Sequence, residues 1–410
     1  MPKGSGNASV RAGAFATAHD AGRESTGCLT PALRLIGLLR ESGMPRTPEE
    51  RQALRRRCAL ILPGFDSPDA AAEFRQLAHW CEHQGVSHDT YGKGALVEGF
   101  ERKVALLLGK PAATFMPSGV MAQLAAVRIW TETARLDRFG MHPTSHLINH
   151  EEQAFSSLFG LHGVPIGDRS RPMSAADLDA VAQPLACAIV ELPIREAGGQ
   201  LPTWDELDAL KAAARARGVV LHMDGARLWE SAAFYGRPHA EIAAGFGSVY
   251  VSLYKGIGAF AGAMLAGDEA FVANARLWRK RMGGTLYHMS PMVAAAAMRF
   301  DDRLACMPAL YQRALSFASE LNRRPMLRVN PKVPQANMLH LYFAAPADAV
   351  AQARDDLAEQ SGCWLFDTLR SADVPGWCFT EIYVGDRLQK ADDAQVMPLF
   401  DRLCEALTAA

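Results

Sequence analysis

The 410-residue sequence lacks three features that would each point to a class of protein. No uninterrupted apolar stretch approaches the eighteen or so residues of a membrane span, which argues against membrane insertion. There is no basic block in the body of the chain, and the formal net charge is -1, which argues against nucleic-acid binding. The eight cysteines are scattered without the close pairs of a zinc site or redox motif, as expected of reduced thiols in a cytoplasmic protein.

The composition, with 49% hydrophobic and 21% charged residues, predicts a large core and more than one domain. The first nineteen residues carry Lys3 and Arg11 but no acid, which faintly resembles a transit peptide. Because this segment has no helical periodicity, a disordered extension is the favoured interpretation. Helices are predicted over 32–40 and 47–57.

From about residue 90 the chain alternates between strand-like and helix-like segments. The spacing is that of βαβ units and predicts an α/β fold with a large, doubly wound, mostly parallel sheet. A capping box of Thr203 and Glu206 predicts a helix over 204–217. The predicted strands of this region are 112–116, 146–150, 186–192, 218–224, 248–254 and 263–267.

After about residue 300 the pattern changes to helix, strands and helix, with strands predicted over 339–343 and 378–384. This change indicates a smaller α+β domain at the C-terminus. The predicted division is an N-terminal extension over 1–57, a large domain over 58–300 and a small domain over 301–410.

Two short motifs carry the main chemical signal. Lys255 lies in the segment 252–258 and Asp224 in the segment 222–227, and each segment follows a short, apolar, β-branched run. Both side chains should emerge at one edge of the sheet, because ligands gather beyond the carboxyl ends of strands. A lysine amine can hold pyridoxal phosphate (PLP) covalently, and a carboxylate can keep its pyridine nitrogen protonated. Alone, each residue would be interpreted as a solvated loop lysine or a helix N-cap; together they predict a PLP site.

A PLP site must also bind a phosphate group. Ser118, Gly119 and Val120 lie between a predicted strand and a predicted helix, where free N–H groups and the helix dipole favour an anion. The alternative is an ordinary Ser-Gly turn. The glycines of 256–262 imitate a dinucleotide-binding pattern, but a strand and not a helix is predicted after them, so the sequence favours PLP over a nicotinamide cofactor.

Further short motifs accompany these two along the chain. The full set is Tyr91-Gly92 with Glu98, Pro117 to Ala122, Ala197 to Gly199, His222 to Leu228, Ser252 with Lys255 to Ala259, and Arg279-Lys280 with Gly283-Gly284. Taken together, these motifs resemble the threonine aldolase and aromatic amino acid β-eliminating lyase family. The resemblance implies a fold-type I PLP enzyme that forms a homodimer or homotetramer with active sites at subunit interfaces. It also implies cleavage of a small amino-acid substrate, a β-hydroxy-α-amino acid, to glycine and an aldehyde.

The resemblance also implies roles for individual residues. Lys255 would hold the cofactor, and Asp224 would face its ring nitrogen. Arg227 would bind the phenolic oxygen of the cofactor or the carboxylate of the substrate, which suits a guanidinium fork. Ser252 is expected in the cofactor site and Tyr91 in the substrate site.

The family places a histidine against the face of the cofactor ring. An alignment on Phe155 puts Gln153 at that position, and His150 is the nearest histidine. His150 could stack on the ring and act as a base on the β-hydroxyl, or it could be a strand-end histidine bonded to backbone. A metal site of His142, His146 and His150 is disfavoured, because their spacing aligns ligands on a helix and a strand is predicted here.

The substrate half of the pattern departs from the family in two places. Where the family has a carboxylate-binding arginine, this chain has Thr380 and Glu381, so Glu381 is expected at the substrate. The phosphate-binding arginine is replaced by Tyr287 and His288, and His288 or Arg281 could compensate. A glutamate would repel a carboxylate, so either Glu381 points elsewhere or the substrate carries a cationic group.

The sequence therefore leaves three hypotheses. The first is a PLP-dependent carbon-carbon lyase of threonine aldolase type. The second is β-elimination, or another PLP reaction, on an altered amino acid. The third is a PLP-binding protein with weakened catalysis.

Overall fold

The computed structural model describes residues 46–66 and 69–409. The helix predicted over 32–40 and the extension predicted to be disordered therefore lie outside the described residues. The helix predicted over 47–57 is confirmed as Pro48–Arg57, and Thr47 caps it in a capping box with Glu50. No helix in the described part of the chain is long and apolar enough to cross a membrane.

Strands within the described ranges are labelled β1 to β13 in chain order. They are β1 (Leu60–Ile61), β2 (Ala112–Met116), β3 (Arg138–Met141), β4 (His162–Pro165), β5 (Cys187–Glu191), β6 (Val220–Gly225), β7 (Ser248–Ser252), β8 (Ala263–Gly267), β9 (Leu327–Asn330), β10 (Met338–Phe343), β11 (Cys363–Trp364), β12 (Leu369–Ser371) and β13 (Cys378–Tyr383).

The helices of the same ranges are labelled α1 to α15, and short 3-10 turns lie at Arg195–Ala197 and Leu228–Glu230. The α-helices are α1 (Pro48–Arg57), α2 (Ala70–Gln84), α3 (Ala95–Leu107), α4 (Gly119–Ala134), α5 (His146–Asn149), α6 (Ala154–Phe159), α7 (Ala175–Asp179), α8 (Trp204–Ala216), α9 (Ala232–Tyr235), α10 (His239–Ala243), α11 (Glu269–Arg281), α12 (Ser290–Leu321), α13 (Ala347–Ser361), α14 (Asp386–Lys390) and α15 (Asp393–Ala409).

A seven-stranded sheet organises the larger part of the chain, in the order β2-β8-β7-β6-β5-β3-β4. The five strands β3 to β7 pair in parallel, and β8 runs antiparallel to both β7 and β2. This topology confirms the mostly parallel, doubly wound α/β sheet. Parallel neighbours also bring the carboxyl ends of β5, β6 and β7 to one edge.

Both faces of this sheet are covered by apolar side chains. In β5, Ile189 packs with Leu124 and Phe139, whereas Val190 belongs to a second cluster with Phe100 and Phe300. Successive side chains of a strand point to opposite faces, so β5 is buried on both sides. Burial of each large apolar side chain contributes about 1.5–3 kcal/mol, which makes this sheet a rigid platform for the loops at its edge.

A second sheet is antiparallel, in the order β12-β13-β10-β9. One face packs on helices through Leu341, Phe317 and Phe400. The other face carries Glu381 and Tyr383, which contact residues that follow strands of the large sheet. The small C-terminal α+β unit predicted from the sequence is therefore present, and its polar face turns toward the large sheet.

The predicted boundary at residue 300 falls inside the continuous helix α12. Phe300 of that helix packs in the core of the large sheet, and Phe317 packs in the core of the small sheet. One helix thus links the two cores, and the division at 300 stays a prediction.

The strand predicted over 146–150 is wrong, because His146–Asn149 is a helix. The strand of this region is β3, which comes earlier and has only four residues, and its neighbour β4 was also missed. Both are short and β4 contains a glycine and a proline, so neither has the apolar β-branched run that identifies longer strands. The other predicted strands of the large sheet are present, with bounds that differ by at most two residues.

The capping box of α8 can be tested by mutation. Thr203 accepts the N–H of Glu206 through its hydroxyl at 3.3 Å, and Glu206 accepts the N–H of Thr203 at 2.8 Å. We expect Thr203→Ala to lower the free energy of unfolding by about 1 kcal/mol, because a helix N-terminal N–H loses its acceptor. Urea denaturation followed by circular dichroism measures this change.

Thr133→Ala is the matched control. Its hydroxyl donates to the carbonyl of Ile129 inside α4 at 2.8 Å and caps no N–H group. We expect a change below about 0.5 kcal/mol. Equal losses of stability in the two variants would contradict the role assigned to Thr203.

Candidate active site

The candidate site lies where β5, β6 and β7 end side by side. Glu191 of β5 is directly opposite Asp224 of β6, and Asp224 is opposite Tyr250 of β7. Lys255 follows shortly after the end of β7 at Ser252. Asp224 is buried, with 3% of its surface exposed, and Lys255 is partly buried. The structure therefore brings Lys255 and Asp224 to the same sheet edge, as the sequence predicted.

The backbone that carries Lys255 is held by Ser252. The hydroxyl oxygen of Ser252 accepts the N–H groups of Tyr254 and Lys255, each at 3.3 Å. Because this turn is fixed to the end of a buried strand, the lysine side chain starts from a defined point. Ser252 was predicted in the cofactor site, and its hydroxyl here holds the turn before the lysine.

Four charged side chains act on the amine of Lys255. Burial lowers the pKa of Lys255 below its usual value, and the charge of Arg227 lowers it further, as does that of Arg195. Asp224 and Glu191 act in the opposite direction. A lysine with a lowered pKa holds more of its neutral amine, which is the form that reacts with carbonyl groups.

Two carboxyl groups, Glu191 and Asp224, lie next to each other at the strand ends. Burial raises the pKa of Asp224, although Lys255 and the N–H of Ala226 at 3.0 Å favour its charged form. Burial and the charge of Asp224 raise the pKa of Glu191 to about 8. Adjacent carboxylates disfavour double ionisation, so the pair would be stabilised by a cation placed against Asp224.

An anion-binding geometry lies at the start of α4. Ser118 caps this helix and accepts the N–H of Met121 at 3.2 Å, and the first N–H groups of a helix have no acceptor within it. At Gly119 a Cβ atom would lie 2.2 Å from the hydroxyl oxygen of Tyr250, so only glycine fits between helix and β7. Ser118 and Val120 are exposed on the same turn. The three predicted phosphate residues thus form one turn with an exposed rim.

Arg227 is stacked on an aromatic ring, with its guanidinium carbon 4.9 Å from the centroid of Tyr383. Its Nε is buried and has no hydrogen-bond partner in the described part of the chain. The hydroxyl of Tyr383 donates to buried Glu230 at 2.7 Å. Burial raises the pKa of Glu230, against the charge of Arg227. An arginine with an unpaired buried N–H is suited to receive an anionic oxygen.

His146, predicted only as a possible metal ligand, is a histidine whose charge acts on Asp224. Its Nδ1 lies 2.9 Å from Oε1 of buried Glu151. Gln153, predicted at the ring, is exposed and has a left-handed backbone before α6. The geometry does not support the Gln153 assignment and favours His146. The signal in the sequence that points to His146 is the spacing of His146 and His150, which matches one turn of a helix.

His150 lies one helical turn from His146, with ring centroids 4.9 Å apart. Its Nε2 is 3.3 Å from Oε1 of Glu196. A hydrogen bond from Arg370 holds the pKa of Glu196 below its usual value, in spite of burial, so this carboxylate stays charged.

His142 does not join these two histidines and instead bonds to the carbonyl of Asp168 at 2.8 Å. No group of three or more metal-ligating side chains occurs in 46–66 or 69–409.

Glu381 forms an ion pair with an arginine. Its Oε2 accepts Nε–H of Arg195 at 2.7 Å, and Arg195 is one of the two arginines that act on Lys255. Neither Arg195 nor Glu191 was identified from the sequence as a site residue. Glu191 ends β5, and Arg195 begins the 3-10 turn that leads into the motif Ala197 to Gly199, but neither residue belongs to that motif.

Tyr91 and His288 form a separate cluster. Tyr91 packs edge-to-face on Tyr287 at 5.3 Å, and the ring of His288 lies 4.3 Å from that of Tyr287. Among the contacts of the described residues, none joins Tyr91 or His288 to Lys255 or Asp224. The structure therefore does not bring these two predicted site residues to the lysine within one chain. Arg281 is exposed at the end of α11 and stacks on Trp278.

The residues present at the site fit PLP. The partly buried amine of Lys255 suits the aldehyde of PLP, and the buried carboxylate of Asp224 suits its pyridine nitrogen. The cradle at Gly119 suits a phosphate dianion. The unpaired Nε of Arg227 suits the phenolic oxygen of the ring or a carboxylate.

Comparison with known proteins gives consistent similarities. Residues 81–344 match the β-eliminating lyase family. A probable low-specificity L-threonine aldolase 2 of Arabidopsis thaliana is 29% identical over 266 residues, which are 62% of this chain and 75% of that protein.

Two solved structures are also similar. A Listeria monocytogenes protein assigned as an L-allo-threonine aldolase is 34% identical with a TM-score of 0.83, and the match covers 88% of this chain and 99% of that one. An Exiguobacterium protein assigned as an aromatic amino acid β-eliminating lyase or threonine aldolase is 34% identical with a TM-score of 0.82, over 87% of this chain and 99% of that one.

The raised pKa of Glu191 predicts a pH dependence of stability in the cofactor-free protein. The carboxyl of an unfolded chain ionises near pH 4.5, whereas that of Glu191 ionises at about 8 when folded. Its contribution is thus fully present below the unfolded pKa and is lost as the pH rises toward 8. Glu191→Gln keeps an acceptor for the N–H of Arg195 and removes this titration.

We therefore expect the free energy of unfolding to fall less steeply with pH in Glu191→Gln than in the wild type over this window. Urea unfolding at several pH values measures both slopes. Glu405→Gln, an exposed substitution on α15, is the control and should keep the wild-type slope. Parallel curves for wild type and Glu191→Gln would show that Glu191 ionises normally.

Proposed function

Since this chain belongs to the β-eliminating lyase family, we propose that it is a PLP-dependent lyase of the threonine aldolase type. The reaction is cleavage of the Cα–Cβ bond of a β-hydroxy-α-amino acid, which gives glycine and an aldehyde. The observation that carries this proposal is the meeting of Lys255 and Asp224 at the ends of adjacent strands, next to an anion cradle at the start of α4.

In this proposal Lys255 holds the cofactor covalently and Asp224 faces its ring nitrogen. Ser118, Gly119 and Val120 bind the phosphate at the helix N-terminus. When bound, PLP supplies an electron sink for the pair released at Cα. Asp224 keeps the ring nitrogen protonated, because a buried carboxylate is stabilised by a positive charge in contact with it.

We assign His146 to the face of the ring. Glu151 accepts a hydrogen bond from Nδ1–H of His146 and so fixes both the orientation of the imidazole and the nitrogen that carries the proton. Glu151 is 7% exposed, so water competes little for this contact. His146 thereby replaces Gln153 in the role that the sequence analysis expected for a ring-facing side chain.

The proton of the substrate β-hydroxyl needs a base within the site. We assign this step to Nδ1 of His150, because its Nε2 faces the charged carboxylate of Glu196. With Nε2–H donated to Glu196, the lone pair of Nδ1 is the acceptor. The contact with His146 places this base beside the ring-facing histidine.

The expectation of a substrate with a cationic group loses its motivation. It arose because Glu381 stood where an arginine was expected, and Glu381 is paired with Arg195. An ordinary α-amino acid carboxylate therefore meets a paired charge and not an isolated glutamate. Because the chain matches the β-eliminating lyase family, β-elimination is the alternative reaction to test.

We also propose that the chain acts as a homodimer or homotetramer. Tyr91 and Tyr287 are 56% and 59% exposed and form one aromatic cluster. Exposed aromatic groups of this kind favour an interface. In such an assembly Tyr91 and His288 would serve the site of a second copy, which accounts for the absence of a contact with Lys255 among the described residues.

Turnover tests the proposed reaction. We expect the PLP-loaded protein to release glycine and an aldehyde from threonine, allo-threonine or phenylserine. Lys255→Ala should lose the visible absorbance of the bound cofactor and at least about 10³-fold in turnover. Lys332→Ala, at an exposed lysine in the loop after β9, should retain both.

Two results would count against the aldolase reaction. Absence of glycine and aldehyde from all three substrates would exclude it. Release of pyruvate or ammonia across an amino-acid panel would favour β-elimination. Cofactor absorbance that survives in Lys255→Ala would remove the lysine from its assigned role.

The oligomer is tested by sedimentation equilibrium. We expect a dimer or tetramer for the wild type and weaker association for Tyr91→Ser with Tyr287→Ser, since the interface loses two aromatic side chains. Leu106→Ser, which is 81% exposed on α3, is the control and should leave the mass unchanged. A monomeric wild type with full activity would contradict this proposal.

A further inference from the structure

Two arginines follow strands that end at the same edge of the sheet as Lys255. Arg227 comes after β6 and is stacked on Tyr383. Arg195 comes after β5, and its backbone is held by Glu191, the residue opposite Asp224. The charge of each arginine acts on the amine of Lys255, and an α-amino acid bound there brings one carboxylate that a guanidinium group can bind.

Arg195 is held at both its backbone and its side chain. Its N–H donates to Oε1 of Glu191 at 3.1 Å, which fixes the turn after β5. Its Nε–H donates to Oε2 of Glu381 at 2.7 Å, across from the small sheet. The side chain remains 33% exposed, so it is anchored without being closed off. This is the arrangement of a preorganised binding group.

The anchoring leaves one edge of the guanidinium for a ligand. Glu381 contacts Nε, and the nearest other carboxylate, Glu196, is 3.7 Å from Nη1, beyond hydrogen-bond distance. Within the described residues neither terminal nitrogen of Arg195 donates a hydrogen bond. The pair Nη1 and Nη2 matches the two oxygens of a carboxylate.

We propose that Arg195, positioned by Glu381, binds the α-carboxylate of the amino-acid substrate. The inference rests on the proposed function, because it takes an α-amino acid as the ligand at Lys255. Glu381 is then a positioning residue that touches Arg195 and not the substrate. Its negative charge is compensated by Arg195, so a carboxylate can approach the same guanidinium from its free edge.

This assignment separates the two arginines. Arg227 stacks on Tyr383 beside buried Glu230 and keeps its place at the oxygen of the cofactor ring. Arg195 lies on the small-sheet side through its bond to Glu381 of β13. The carboxylate would thus be bound between the two sheets, and selectivity for amino acids over simple amines would depend on Arg195.

A pair of probes tests the inference without turnover. Glycine carries an α-carboxylate, and ethanolamine is an amine with a hydroxymethyl group in its place. Both can be titrated into the PLP-loaded protein and followed by the change in cofactor absorbance. We expect Arg195→Gln to weaken glycine binding by about 10- to 100-fold, from the loss of a charge-assisted pair, and to leave ethanolamine binding within about 2-fold.

Further variants separate binding from folding. Arg195→Lys keeps the charge without the fork and should weaken glycine less than Arg195→Gln. Glu381→Gln should weaken glycine by a smaller factor than Arg195→Gln, because the guanidinium stays but is held less firmly. Arg323→Gln removes an arginine from an exposed ion pair with Glu320 and should change neither titration.

The outcomes are decisive in both directions. Loss of glycine binding with ethanolamine retained supports the inference even if no β-hydroxy amino acid is cleaved, in which case only the aldolase reaction fails. The inference is overturned if Arg195→Gln weakens glycine and ethanolamine binding equally. It is also overturned if the preference for glycine over ethanolamine is lost only in Arg227→Gln. If the wild type binds neither probe and cleaves no substrate, the inference and the proposed function fail together.

Discussion

The arrangement of charge around Lys255 is the constraint on which the rest of the site depends. A buried ion without a partner costs several kcal/mol, so a lysine recessed among other charges is stable only when they balance. Asp224 and Glu191 provide negative charge, and Arg227 and Arg195 provide positive charge. The balance leaves a lysine with a lowered pKa and carboxyls with raised pKa values, which are the properties required to attach an aldehyde and to receive a cationic ring.

The fold holds these charges close together at little cost in conformational entropy. Parallel strands end at one edge, so residues far apart in sequence become neighbours without long ordered loops. Close packing extends to the turns beyond the strands. At Gly256 a Cβ atom would lie 2.5 Å from Oε1 of Glu230, so the turn after Lys255 can approach that buried carboxylate only because the residue is glycine.

The sequence predicted those parts of the site that depend on local pattern. Asp224 lies near the end of a strand, and Lys255 and Ser118 follow strands. Each of these strands is visible as an apolar run, and the topology of the sheet places the three residues together. The segment of His146 was predicted as a strand, because a four-residue helix has too little periodicity to distinguish it from a short strand. Local pattern therefore identifies the cofactor half of the site, and short irregular elements are where it fails.

Arg195 and Glu381 illustrate the other limit. They are 186 residues apart and belong to different sheets, so no spacing rule connects them. In the sequence alone, β13 has a glutamate at the position where the family has an arginine, and this difference suggests a changed substrate. In three dimensions the arginine is supplied by the turn after β5, and the glutamate is its partner. The chemistry of a binding site depends on where its charges lie in space. Here the turn after β5 supplies the positive charge, and the position on β13 where an arginine was expected holds the negative charge that pairs with it.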